Sequence, residues 1–232
     1  EPELDEGSSA PDAKRAEMNI YEPMLIGMSP NTRRRFEAGM QWGYNDYINY
    51  DLAVEWAFKR NLSVFGGLRH EGRSIGATLQ AGVKYAFIKD VRTGVVLSGA
   101  FSIKAGYSSL DALGFIIEPW IGMAWLASDK GQFQTSLAFD LRVDKLLHWV
   151  IWDAMVVFNP TPKVGIYIES KQKHSLHDVE GLDTQYLAFY QAGVGAKFRP
   201  NEKMEFGVGA NIPYFWRIWK DYNYVGIHFD AV

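Results

Sequence analysis

The sequence predicts an all-β fold: a transmembrane antiparallel up-and-down β-barrel of about 12 strands. Three observations predict it. Apolar residues recur at alternate positions in run after run from residue 35 onward, and period-2 alternation sends successive side chains to opposite faces of a strand. The runs are about ten residues long, the length at which a tilted strand crosses a bilayer. The breaks between runs are mostly short on one side and several are longer on the other.

The first hairpin sets the pattern. Phe36, Ala38, Met40, Trp42 and Tyr44 share one phase, and Arg35, Glu37, Gly39, Gln41 and Gly43 the other. After a polar break at 45–49, Tyr50, Leu52, Val54, Trp56 and Phe58 alternate with Asp51, Ala53, Glu55, Ala57 and Lys59. Two such runs around a short break make a hairpin. A weaker strand over 62–69 follows the turn at Arg60-Asn61. The stretch 74–87 is regular, with Ile75, Ala77, Leu79, Ala81, Val83, Tyr85 and Phe87 on one face. Further strands are expected over 94–105, 115–127, 132–144, 150–158, 164–171, 186–198, 204–212 and near 222–230. Residues 107–114 read as a loop and 172–184 as the longest break. Pro119 cannot donate to a ladder, so a bulge is expected there.

Composition narrows the environment. The 232 residues are 47% hydrophobic, 15% aromatic and 22% charged, with a mean hydropathy of −0.16. No run approaches the roughly 18 to 20 apolar residues of a membrane helix. The alternatives are a soluble chain or one that satisfies its backbone in lipid as a closed barrel. Gly39, Gly43, Gly76, Gly82, Gly193, Gly195, Gly207 and Gly209 all fall in the polar phase, which suits a crowded interior better than a solvated outer face. Two aromatic rims flank the apolar phase. Phe58, Phe87, Trp125, Phe133, Phe158 and Phe198 lie on the short-turn side. Trp42, Tyr44, Tyr50, Phe115, Trp152, Tyr186 and Tyr214 lie on the other. Rings are expected at both headgroup levels.

Several classes are set aside. A net charge of −3 argues against a polyanion as main partner, and no nucleic-acid motif or Gly-rich phosphate loop appears. With no Cys, neither disulfides nor thiolate metal sites arise. No signal peptide is visible; a processed secreted chain would look the same.

With these patterns in place, the chain resembles the bacterial outer-membrane β-barrel superfamily over about residues 35–232, in strand length, alternation, turn asymmetry and aromatic girdles. Its size is similar to that of the small twelve-stranded oligosaccharide porins and the outer-membrane phospholipase barrel. The resemblance implies location in a bacterial outer membrane, contact with membrane lipids, periplasmic short turns and outer long loops. Residues 1–33 are then an N-terminal periplasmic segment, partly disordered or plug-like, and 34–232 the barrel. Residues 19–28, with Tyr21, Met24, Leu25 and Ile26, are expected to pack on or inside it. Arg33-Arg34-Arg35 reads as a solvated strand start.

The inferred lumen carries both signs, with Glu37, Glu55, Glu118, Asp140, Asp153 and Glu169 among Lys84, Lys104, Arg142 and Lys171. A channel for acidic sugars should show a dominant basic ladder, which the sequence does not display. Mixed signs suit a weakly selective narrow pore or a lumen closed by ion pairs. In the longest loop, His174, Ser175 and Asp178 are candidates for a hydrolytic constellation, although adjacent residues on a strand would point apart. His174, His177 and Asp178 are candidate metal ligands, without diagnostic spacing, and no cofactor is expected. Trp216, Arg217 and Trp219 are candidates for a binding rim. The expected function is a small porin-like channel or transport component. A non-conducting docking barrel stands as alternative, binding other envelope proteins through its N-terminal segment or outer loops. A lipid hydrolase using the His174/Ser175 loop is the second alternative.

Overall fold

The computed structural model describes residues 28–43, 47–70, 77–90, 92–108, 111–128, 130–143, 148–176, 188–201, 204–215 and 226–231. They form twelve strands: β1 (Arg35–Gly43), β2 (Tyr47–Lys59), β3 (Leu62–His70), β4 (Ala77–Asp90), β5 (Val95–Ser108), β6 (Asp111–Ser128), β7 (Gly131–Arg142), β8 (Trp149–Thr161), β9 (Val164–Ser175), β10 (Ala188–Asn201), β11 (Met204–Phe215) and β12 (Gly226–Ala231). Each strand pairs with its sequence neighbours, and β1 pairs with β12 to close the barrel. Closure leaves no open edge, the condition for a sheet to cross lipid.

Burial follows the alternation. Phe36, Leu52, Val54, Leu79, Val83, Phe101, Ile103, Ile121, Ile168, Val194 and Val208 are exposed. Glu55, Lys84, Ser102, Glu118, Gln134, Asp153, Glu169, Lys197 and Glu205 are buried. An inside-out distribution of this kind places the apolar face against lipid and the polar face in the lumen. The rims follow the same rule. Phe58, Phe87, Trp125, Phe158 and Phe198 are exposed at one end of the wall and Tyr50, Phe115 and Trp152 at the other. The side chains of Trp42, Tyr44, Tyr186 and Tyr214 lie outside the described residues.

Three local expectations are corrected. Residues 107–114 are mostly strand: β5 runs to Ser108 and β6 begins at Asp111, because the paired strands continue their ladder beyond the regular apolar alternation. For the same reason β9 runs to Ser175, past the expected break at 172. Pro119 makes no bulge. It faces Phe101 in an unbroken β5 register. Toward β7 the ladder omits Glu118 and Pro119 and resumes in the same register at Trp120 and Ala138. A missing donor is thus absorbed by one interrupted ladder rather than by an extra residue. The register shifts fall near strand ends, as between Ala57 and Lys59, Ala86 and Ile88, and Phe198 and Asn201.

Candidate functional site

The short-turn half of the lumen is filled. Its central group is the Lys84 amine on β4. With side-chain exposures of 0% and 1%, Lys84 and Glu55 pair at 2.8 Å. Ser63 donates to the other Glu55 oxygen at 2.5 Å. Arg35 joins them, 3.1 Å from Glu55 and 2.8 Å from Glu37. The Arg35 side chain is only 6% exposed, which corrects the solvated reading of the arginine cluster at this residue: its charge is held by Glu37 on its own strand and by Glu55 across the β1–β2 pairing. Arg34 is exposed and stacks over Trp56 at 4.4 Å. A second knot near this end joins Glu205 to Lys197 at 3.2 Å and to Arg199 at 2.7 Å.

Residues 28–32, which precede the wall, lie within this half, buried throughout. Lys84 Nζ donates to the carbonyls of Ser29 (2.8 Å) and Asn31 (2.6 Å). Ser98 Oγ donates to the Pro30 carbonyl, and Lys89 Nζ to that of Thr32 at 3.3 Å. Thr32 Oγ1 donates to the Arg60 carbonyl at 2.7 Å. Met28 packs in an apolar cluster with Trp120, Ala138 and Ile151, with Phe65 and Ala100 against it. Ala100, Trp120, Ala138 and Ile151 are successive register partners across β5 to β8. Met28 thus meets one rung of the wall.

The loop-side half differs. Lys104 bridges Glu118, in close contact, and Asp140 at 3.2 Å. Lys173 lies 3.4 Å from Asp140 and 4.9 Å over the Trp149 ring. Gln80 donates to Ser102 and Glu118 at 2.9 and 3.2 Å. Exposure separates the signs. The Lys173 and Lys104 side chains are 31% and 18% exposed, Asp140 and Glu118 only 7% and 8%. Arg69, Arg142 and Lys171 are also half-buried, as is one acid at this level, Asp51. Asp153 and Glu169 are buried. Among the described residues, the half-buried charges of this half are thus mostly bases, with Asp51 the exception. Trp149 and Trp120 escaped the sequence reading, since an inward Trp breaks the pattern of polar and small lumen residues. The signal for Trp120 was its parity with Glu118 and Gly122.

Of the hydrolytic candidates, the described residues His174 and Ser175 are not brought together. His174 lies in the outward phase of β9, its ring 5.2 Å edge-on from Tyr190. Ser175 is the next strand residue, so it faces the opposite way. Asp178 and His177 lie outside the described residues, as do Trp216, Arg217 and Trp219. Among the described residues no group of three or more His, Cys, Asp or Glu side chains is placed to hold a metal ion.

No family model matches the chain, and no curated protein matches it. Solved structures do. The NanC porin matches with a TM-score of 0.65 at 9% identity, over 85% of this chain and 98% of that one. The KdgM porin in complex with disordered oligogalacturonate gives 0.61 at 10% identity, over 85% and 98%. LpxR from Salmonella typhimurium gives 0.53 at 9%, over 84% and 99%. At such identities the likeness is one of fold: the chain is a twelve-stranded β-barrel of the outer-membrane type, built like the NanC and KdgM porins.

Proposed function

We propose that this chain is a porin-like transport barrel of a bacterial outer membrane that admits anionic solutes from its loop side. The observation that carries the reading is the sorting of lumen charge by exposure. Among the described residues, Arg69, Lys104, Arg142, Lys171 and Lys173 are half-buried around the loop-side lumen with one acid, Asp51, while Glu118, Asp140, Asp153 and Glu169 are buried. A cleft lined by one sign raises the local concentration of the opposite sign. Trp149 beneath Lys173 adds a flat apolar surface of the kind that stacks on sugar rings. The ligand named with KdgM, an oligogalacturonate, belongs to the same chemical class, an acidic oligosaccharide.

The test is the reversal potential of single channels across a potassium chloride gradient. The chain is compared with a Lys84→Met/Glu55→Gln form in which the buried segment is loosened. An anion-favouring potential is expected, weakened or inverted in Arg142→Glu/Lys173→Glu. A cation-favouring potential, or silence in both forms, would overturn the proposal. The filled short-turn half favours a second reading, a non-conducting barrel that docks envelope proteins. That reading predicts silence in both forms with the barrel folded.

A further inference from the structure

We propose that Lys84, Ser98 and Lys89 form a peptide-binding site inside the barrel, and that its occupant is the chain's own segment 28–32, held by these donors as a plug. This goes beyond the anion reading and does not depend on it.

The contacts are to the backbone. Four consecutive carbonyls, of Ser29, Pro30, Asn31 and Thr32, accept hydrogen bonds from lumen side chains. An ammonium has three donors and no acceptor. Lys84 directs one to Glu55 and two to the segment, at 2.8, 2.8 and 2.6 Å. A fully buried cation whose donors are divided in this way is held in part by the segment, and an unmet buried donor is costly. The wall therefore presents an acceptor-seeking site, and the segment, bent at Pro30 and Asn31, satisfies it. Ser98 continues the line on the neighbouring strand, and Lys89 meets it toward the short turns. Met28 adds a side-chain anchor in the apolar rung of Trp120, Ala138 and Ile151.

The chain lacks cysteine, so a single thiol reports on this segment. Ser29→Cys keeps the Ser29 carbonyl, and the full chain carrying it is folded in detergent and treated with a water-soluble maleimide. Heat-modifiable migration confirms the barrel. Labelling is expected to be slow in the otherwise native chain. In the Lys84→Met/Glu55→Gln background it is expected to rise about tenfold or more, since hydrogen bonds to a charged group each contribute on the order of one such factor. If that background fails to fold, Ser98→Ala/Lys89→Met carries the same expectation at a smaller rise. Labelling at the free-thiol rate in the native chain would overturn the proposal, because the segment is then not held. Equally slow labelling in native and both variant backgrounds would also overturn it, because the hold would not come from these donors.

Discussion

At the scale of the residue, the lumen is governed by how few of its charges reach water. Removing one member of a buried ion pair leaves the other uncompensated, at a cost of about 3–5 kcal/mol. Lys84→Met alone should destabilise the barrel by less than that amount, because Arg35 still pairs with Glu55 at 3.1 Å, measured by urea unfolding in micelles. Lys84→Met/Glu55→Gln should cost clearly less than the two single changes summed, since the orphaned charge is removed too. Strict additivity would show that the 2.8 Å pair is not coupled. Close packing gives a second residue-scale expectation. A Cβ at Gly195 would come within 2.2 Å of the Val208 carbonyl and 2.5 Å of the Tyr167 hydroxyl. Gly195→Ala should destabilise by about 1–3 kcal/mol, the usual cost of overpacking. A Cβ at Gly131 would meet nothing nearer than the Ser128 hydroxyl at 3.9 Å, so Gly131→Ala is the control. Equal losses at both glycines would refute the steric account.

At the scale of the element, each strand is a two-faced wall, and the face decides what a substitution does. On β9, Ile166 and Ile168 are exposed on the outer face while Tyr167 and Glu169 are buried on the inner one. An arginine on a lipid-facing position near the bilayer midplane costs about 2–4 kcal/mol. Ile168→Arg should therefore lower the folded fraction in lipid vesicles, scored by heat-modifiable migration. Lys171→Arg, on the inner face of the same strand, should leave it unchanged. Loss of folding in both, or in neither, would contradict the assignment of faces. The same two-facedness separates His174 from Ser175. Continuing β9 to Ser175 turns an apparent loop motif into neighbours that cannot share a substrate.

At the scale of the whole molecule, closure by β1 and β12 makes one enclosed lumen with two unlike halves. Among the described residues, half-buried bases with Asp51 stand in the half beneath the longer loops, and ion pairs with the segment 28–32 fill the other. A selectivity set by half-buried bases must be screened by salt, because the Debye length falls from about 10 Å at 0.1 M to about 3 Å at 1 M. Anion preference should therefore be strongest at low ionic strength and fade as both sides are raised together, read from reversal potentials at a fixed gradient ratio. A preference unchanged by salt would point to exclusion by size instead.

Much of this molecule was legible in the sequence. Strand number, the two faces, the polar phase of the glycines and the placement of Glu55, Lys84 and Asp140 with it all follow from alternation, a local property that each strand states for itself. The turn asymmetry is equally local. The sequence did not show which lumen charges meet solvent, because exposure depends on what stands opposite across the barrel. Lys173 and Asp140 lie on β9 and β7 and meet only when β8 pairs with both. Nor did it show that the Arg35 charge is paired or that segment 28–32 is gripped. The donors to that segment lie 53 to 68 residues further along the chain. The sequence by itself determined a barrel wall with a lipid face and a polar face, since side-chain alternation needs only the backbone. The tertiary structure alone decided which charges of the polar face are buried in pairs and which are not, since burial and charge pairing arise between residues that only the paired sheet brings together.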